Sequence, residues 1–280
     1  MVRGLTVTLL LIGNAVLWGT PIVLLGIVKF AVHMTAPRSR MRTRVILALA
    51  SLAERWVAGN DRIFDRLLPT RWDMAGIGDD VQPGGHYLVI SNHVSWVDIF
   101  VLFRAFHGRA AFIRFFLKHQ LIWLPIVGQA CWALEFPFMH RYSPAYLEAH
   151  PEKRGKDLAT TRRACQRYRN FPVAIANFIE GTRFTRSKRD EQQSPYRHLL
   201  RPRVGGISFV FATLGEYLDA TYDLTIAYPG GETTVWEFVS GRVQRIVVRA
   251  RRVEMPRPEQ TKAWTEALWR EKDELLDSLL

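Results

Sequence analysis

Leu5 to Val28 is a run of 24 positions without a charged residue. Wound as an α-helix it reaches about 36 Å, enough to cross a hydrocarbon core of about 30 Å. It is longer than the apolar core of a cleaved signal peptide, which spans about 7–15 residues. Gly13, Gly19, Pro21 and Gly26 interrupt it, leaving open both a kinked span and a segment that enters the bilayer and returns. A second apolar stretch, Val45 to Ala58, has Arg44 before it and Glu54 and Arg55 inside it. That pattern fits an amphipathic helix, either lying on a bilayer or packed in a core.

From Thr70 the pattern changes to short apolar runs bounded by turn residues. Arg71–Ala75 and His86–Ile90 predict strands, separated by the Gly-Asp-Asp and Pro-Gly-Gly signals between Gly76 and Gly85. Ile99–Phe106 predicts a helix and Ala110–Phe115 a strand. Val173–Ile179, apolar except for Asn177, predicts a buried strand, and Leu224–Tyr228 another. Arg242–Arg252 mixes basic and apolar residues, as an edge strand with one solvated face would. Thr185–Leu199 is charge-dense and predicts an exposed loop, a candidate lid or landing site for donor phosphates. Lys262–Leu280 predicts an amphipathic helix with Trp264, Leu268 and Leu275 on one face, packing on the body or touching lipid. Strands and helices in this order predict an α/β fold. The expected organisation is a pair of membrane-attachment helices over residues 1–60, then an α/β domain over 61–280.

Charge refines this picture. The 280-residue chain carries a formal net charge of +12, which points to an anionic partner such as a membrane surface or a phosphorylated substrate. A nucleic-acid partner would leave the apolar N-terminus unexplained. Lys29, Arg38, Arg40, Arg42 and Arg44 follow the first apolar run, against Arg3 before it. That asymmetry places the downstream chain on the cytoplasmic face of the inner membrane. Cys131 and Cys165 lie far apart with no metal-ligand spacing, so no disulfide framework, metal site or cofactor is expected.

The chemistry gathers at SNHVSWVDIF, Ser91 to Phe100. It stands where the strand ending at Ile90 opens into the helix beginning near Ile99, the kind of crevice in which α/β proteins bind ligands. A neutral His93 can take a proton from a hydroxyl, with Asp98 on its other ring nitrogen fixing the tautomer and stabilising the imidazolium. Five steps along one helix would set these side chains about 140° apart, so they meet only if His93 lies in the turn and Asp98 inside the helix. The same residues also read as a helix start, with Ser95 as cap and Asp98 as the acidic residue of the first turn. Asp98 can serve both.

NHVSWVD resembles the NHxSxxD block of the glycerolipid acyltransferases, the lysophosphatidic acid acyltransferase family. The likeness extends to KHQLIWLPIVG (Lys118 to Gly128), EFPFMHR (Glu135 to Arg141), IEGTRF (Ile179 to Phe184) and RPRVGG (Arg201 to Gly206). There are departures: His140 stands where Asp is usual, Ile179 for Pro, Arg203 for Lys, and Tyr228 where an aliphatic residue is common. PFMHRYSPAYL resembles the bacterial YihG-like branch. The resemblance implies a mixed central sheet flanked by helices and a membrane-associated O-acyltransferase. Its donor would be acyl-CoA or acyl carrier protein, and its acceptor a lysophospholipid, 1-acyl-glycerol-3-phosphate above all. It further implies that Lys118, Arg141 and Arg183 hold the acceptor phosphate, that Glu180 and Gly181 shape the acceptor site, and that Thr182 offers a hydroxyl there. Two other readings stay open: a lipid or thioester hydrolase using the same pair on water, and a basic, non-enzymatic membrane-bound protein.

Overall fold

The structure is a computed structural model that describes residues 1–36, 39–78, 80–139, 144–150, 166–169, 171–231 and 233–280. The first apolar run forms part of one continuous helix, α1 (Val2–Thr35), with Pro21 inside it. Ser39 then caps α2 (Arg40–Leu67), accepting the Arg42 N–H on its side chain. That helix is longer than the 45–58 stretch because a cap and a polar face extend it at both ends.

The two helices pack together through a polar clamp. Asn14 Nδ2 donates to Trp56 O at 2.8 Å and to Asn60 Oδ1 at 2.9 Å. The far end of α1 is tied to the remainder of the chain, with Lys29 Nζ 2.9 Å from Glu135 Oε1 and 2.5 Å from Ala133 O. Gly26 permits this approach, because a Cβ there would stand 2.5 Å from that of Ala133. The opposite face of α1 leaves Leu9, Leu17, Leu24 and Ile27 exposed.

Beyond the hairpin come β1 (Arg71–Ala75), β2 (His86–Ser91), α3 (Val97–Phe106), β3 (Ile113–Phe115), β4 (Leu117–Lys118), α4 (Val127–Ala133), β5 (Phe138–Met139), α5 (Pro144–Ala149) and β6 (Val173–Phe178). They are followed by α6 (Arg186–Glu191), α7 (Val204–Leu214), β7 (Ala220–Ala227), α8 (Val235–Val239), β8 (Arg245–Val253) and α9 (Thr261–Leu279). Six strands form one sheet in the order β1-β8-β7-β2-β6-β3, with β7 and β8 antiparallel and every other neighbour parallel. β4 and β5 form a separate parallel pair. This is the mixed sheet flanked by helices.

The strands are apolar on both faces because both are covered. Tyr87 and Val89 of β2, with Ala174 and Ala176 of β6, point into the core beneath α3 and the hairpin. Leu88, Ile90, Val173 and Ile175 point the other way, beneath α7 and α9. Each Val, Leu or Ile among them, fully buried, stabilises by about 1.5–3 kcal/mol.

Four expectations change. β3 begins at Ile113 and not at Ala110, because the Arg109 and Ala110 N–H groups turn back to Phe106 O and close the end of α3. β8 is interior: β1 pairs along its outer side, and Arg245 and Arg249 reach Asp73 on that neighbour. Residues 185–199 are largely exposed, as expected, but form a short helix and a pinned turn where an irregular loop was expected. Thr185 caps α6, and the Arg197 and His198 N–H groups bond Asp273 of α9 at 2.7 and 2.8 Å. Lastly, α9 buries Thr265, Leu268, Trp269, Lys272 and Leu276, so of the three residues expected on its packing face only Leu268 is fully buried. Lys272 Nζ is 2.6 Å from Asp223 Oδ1 and donates to Leu224 O at 2.5 Å. That buried charge was absent from the apolar pattern because its partner lies on β7, distant in the chain.

Candidate active site

Three neighbouring parallel strands deliver the site at their carboxyl ends. Ser91 of β2 stands beside Phe178 of β6 and Leu224 of β7. His93 and Glu180 therefore each lie two residues past that level, and Tyr228 four past it. Asn92 sews the exit of β2 to β7, donating to Ile226 O at 2.8 Å and accepting the Ile226 N–H at 2.9 Å.

His93 lies in the turn and Asp98 in the first turn of α3, so the two side chains meet. The His93 Nδ1 to Asp98 Oδ2 distance is 2.8 Å. The Val94 and Ser95 N–H groups donate to the same oxygen at 2.7 and 2.9 Å. Ser95 Oγ accepts the Val97 N–H at 3.2 Å in a local turn, but the cap position of α3 is Trp96 and carries no side-chain cap bond, so the expected Ser95 cap is not formed while Asp98 is the acidic residue of the first turn. A carboxylate only accepts, which places the proton of this contact on Nδ1; in the neutral ring the lone pair is then on Nε2. The His93 ring stacks on Phe178 with centroids 4.0 Å apart. Asp98 is fully buried, whereas the His93 side chain keeps 12% exposure, so the imidazole reaches the crevice and its partner does not.

Glu180 is also buried. Its Oε1 accepts the His93 N–H at 2.8 Å and its Oε2 the Leu200 N–H at 2.9 Å. Burial pushes this carboxyl up to about 8, against the pull of those two donors. Gly181 has φ +71°, and a Cβ there would meet Arg203 Cδ at 2.9 Å. The turn thus favours glycine for its positive φ, and the flexible Arg203 side chain lies against it. Thr182 Oγ1 accepts from Lys188 Nζ at 2.9 Å, and the same ammonium donates to Arg183 O at 3.0 Å. The Arg183 guanidinium lies 5.0 Å over the Trp96 ring. The Phe184 N–H donates to His93 O at 2.7 Å, closing the turn after β6 onto the turn after β2.

His93, Asp98, Glu180, Gly181, Thr182 and Arg183 are thereby brought together. Lys118 is exposed in β4 and makes no hydrogen bond or ion pair with them among the described residues. Arg141 lies outside the described residues, as does Cys165. Four participants were not legible as such: Lys188, Tyr228, Trp96 and Phe178. Only Tyr228 carried a signal, as an unusual aromatic at a strand end.

A cavity of about 490 Å³ opens between the helical hairpin, α3 and α4, with apolar lining throughout. Ala15, Gly19, Ala53, Trp56, Trp96, Phe100, Phe115, Cys131 and Phe136 form part of its wall. Trp96 belongs both to this wall and to the Arg183 contact, and Phe115 stacks on Phe178 beneath His93. Cationic and apolar surfaces thus meet beside the imidazole. Among the described residues no group of three or more His, Cys, Asp or Glu is placed to hold a metal ion.

The crevice thus lies at the carboxyl ends of parallel strands, with a His–Asp pair between the Arg183–Trp96 contact and an apolar cavity. The acyltransferase family matches residues 76–229, and the chain belongs to that family. It is 28% identical over 210 residues to 1-acyl-sn-glycerol-3-phosphate acyltransferase 2 of Brassica napus, covering 69% of this chain and 51% of the relative. To 1-acyl-sn-glycerol-3-phosphate acyltransferase epsilon of Mus musculus it is 25% identical over 227 residues, covering 71% and 59%. The chain spans about half the length of the curated relatives it matches. The crystal structure of the 1-acyl-sn-glycerophosphate (LPA) acyltransferase PlsC from Thermotoga maritima shares the fold. Its TM-score is 0.52 at 17% identity, covering 93% of this chain and 97% of that chain.

Proposed function

We propose that this protein is a membrane-attached O-acyltransferase that moves a fatty acyl group from a thioester, acyl-CoA or acyl carrier protein, to the hydroxyl of 1-acyl-glycerol-3-phosphate, giving phosphatidate. The observation that carries this reading is the position of the His93–Asp98 pair at the junction of the Arg183–Trp96 contact with the apolar cavity. His93 Nε2 takes the proton of the acceptor hydroxyl as its oxygen attacks the thioester carbonyl. The tetrahedral intermediate then collapses, the carbon–sulfur bond breaks, and the imidazolium returns its proton to the leaving thiolate. Asp98 holds the imidazole by Nδ1 and stabilises its charge. No acyl-enzyme is formed. Arg183 binds the acceptor phosphate, as do Lys118 and Arg141 by resemblance, and Lys188 braces the turn that carries Arg183. The acyl chain of the thioester occupies the cavity.

Both substrates partition into lipid, and the exposed apolar face of α1 supports a site held at the bilayer. α1 is long and apolar enough to span a membrane. The cations after it favour the inner membrane with the sheet on the cytoplasmic side. The segment PFMHRYSPAYL supports a place in the YihG-like branch.

Purified protein in mixed micelles, given acyl-CoA with and without the lysolipid, tests the reaction. The expected result is thiol release that requires the lysolipid and yields phosphatidate in equal amount. Fatty acid released without lysolipid would identify a hydrolase instead. Arg183→Ala is expected to raise the acceptor KM about 10-fold or more with little change in kcat, and an unchanged KM would count against the phosphate role. Ala15→Phe narrows the cavity and is expected to lower kcat/KM for long-chain relative to short-chain donors by about 10-fold or more. A chain-length profile identical to wild type would place the acyl chain elsewhere.

A further inference from the structure

Asp98 is served unevenly. Its Oδ2 receives His93 Nδ1 and two backbone N–H groups, while its Oδ1, equally buried, receives one donor, the Tyr228 hydroxyl, at 2.6 Å. Tyr228 follows the last residue of β7, precedes Pro229 and is 2% exposed, so its ring can neither swing out nor exchange the bond for water. We propose that Tyr228 is a positioning residue of the His93–Asp98 pair, its phenol holding the carboxylate with Oδ2 toward His93 and drawing part of the carboxylate charge away from the imidazole. This inference rests on His93 acting as the general base.

Burial and the Asp98 charge push the Tyr228 phenol well above its ordinary value, so it remains a donor throughout the working pH range. The other ionisable groups facing the pair are Glu180 after β6, which accepts the His93 N–H, and Arg183, which lies on Trp96. Lys272 of α9 acts on Glu180 from the far side of the sheet. All three are common to wild type and variant, so a difference between pH profiles isolates the phenol.

Without its donor on Oδ1, the carboxylate concentrates its charge on the imidazolium and loses one of its four anchors. Charge then holds the proton on His93 more tightly, and lost orientation slows the transfer. Tyr228→Phe keeps the ring and removes only the hydroxyl. It is expected to lower kcat about 10-fold, the scale of one hydrogen bond to a charged group, with both KM values within about twofold of wild type. The acidic limb of kcat/KM against pH moves to higher pH, and the Nδ1–H proton resonance of His93 moves downfield. 3-Fluorotyrosine placed at position 228 alone preserves the fold and is a stronger donor, so it moves both readouts the opposite way. Superposable pH profiles and an unmoved resonance in both variants would overturn the proposal whatever the change in kcat, since a packing role alters rate without altering either readout. His93→Ala separates the two levels. Retained transfer in that variant removes the reading of His93 as base, whereas an inactive His93→Ala beside unshifted Tyr228 variants removes only the role of Tyr228.

Discussion

His93→Ala is expected to lower kcat/KM for acyl transfer to 1-acyl-glycerol-3-phosphate by about 1,000-fold, read as free thiol released from the acyl-CoA. The imidazole keeps 12% exposure at this crevice while its Nδ1 is held by a carboxylate, Asp98, that is itself fully buried. Removing it leaves the acceptor hydroxyl with nothing to take its proton near neutral pH. Asp98→Asn tests the partner. An amide oxygen in the Oδ2 position keeps the Val94 and Ser95 N–H bonds, and the amide nitrogen can sit against Tyr228, so the fold should persist. The negative charge that stabilises the imidazolium is lost, and kcat falls about 100-fold or more with little change in either KM. Near-wild-type turnover in His93→Ala would remove the mechanism. A large loss in Asp98→Asn confined to KM would assign that residue to binding.

The second large effect concerns Glu180. Folding carries its carboxyl from the ordinary value of 4.5 up to about 8 because it is buried. Between those values the folded chain holds a proton that the unfolded chain releases. The stability this contributes is fully present below about 4.5 and is lost as pH rises through about 8, by about 1.4 kcal/mol for each unit of the shift. Melting temperature is therefore expected to decline across that window, with Glu180 contributing to the slope.

Glu180→Gln removes that contribution. It also leaves one oxygen where two are needed, since the His93 N–H and the Leu200 N–H each take one. The N–H that meets the amide nitrogen is orphaned in the interior, at about 1–3 kcal/mol. Because one of these donors belongs to His93, the turn carrying the proposed base loosens, and kcat is expected to fall about 10- to 100-fold alongside the stability loss. Thermal melts from pH 4.5 to 9 paired with kinetics decide it: an unchanged slope with unchanged kcat would show that Glu180 neither titrates in this window nor anchors the turn.

Some of this site was readable along the chain and some was not. The five-residue separation of His93 and Asp98 already excluded their meeting on one ideal helix, and it required the turn-then-helix arrangement found. Gly181 reads along the chain as a glycine that lets the backbone approach a ligand, whereas its positive φ and the Arg203 side chain lying against it come only from the fold. Lys188 gave no such signal, because residues 185–199 carry enough charge to look solvated. What converts them to a helix and a pinned turn is Thr185 on one side and Asp273, some 75 residues onward, on the other. β8 looked like an edge because alternating arginines resemble a solvated face. They are instead drawn to Asp73 on β1 and Asp223 on β7, from strands on either side.

The sequence by itself determined the long apolar helix, the alternation of strands with helices, and the two strand-end turns that carry His93 and Glu180. Each depends on periodicity or turn chemistry within a dozen or so residues, where neighbours in the chain are neighbours in space. Tertiary structure alone decided that those turns close on one another, that Tyr228 reaches Asp98 across 130 positions, and that Trp96 joins a cation to an apolar cavity. Such contacts arise where parallel strands end side by side, and strand order in a sheet is set by which faces bury one another, not by any local pattern.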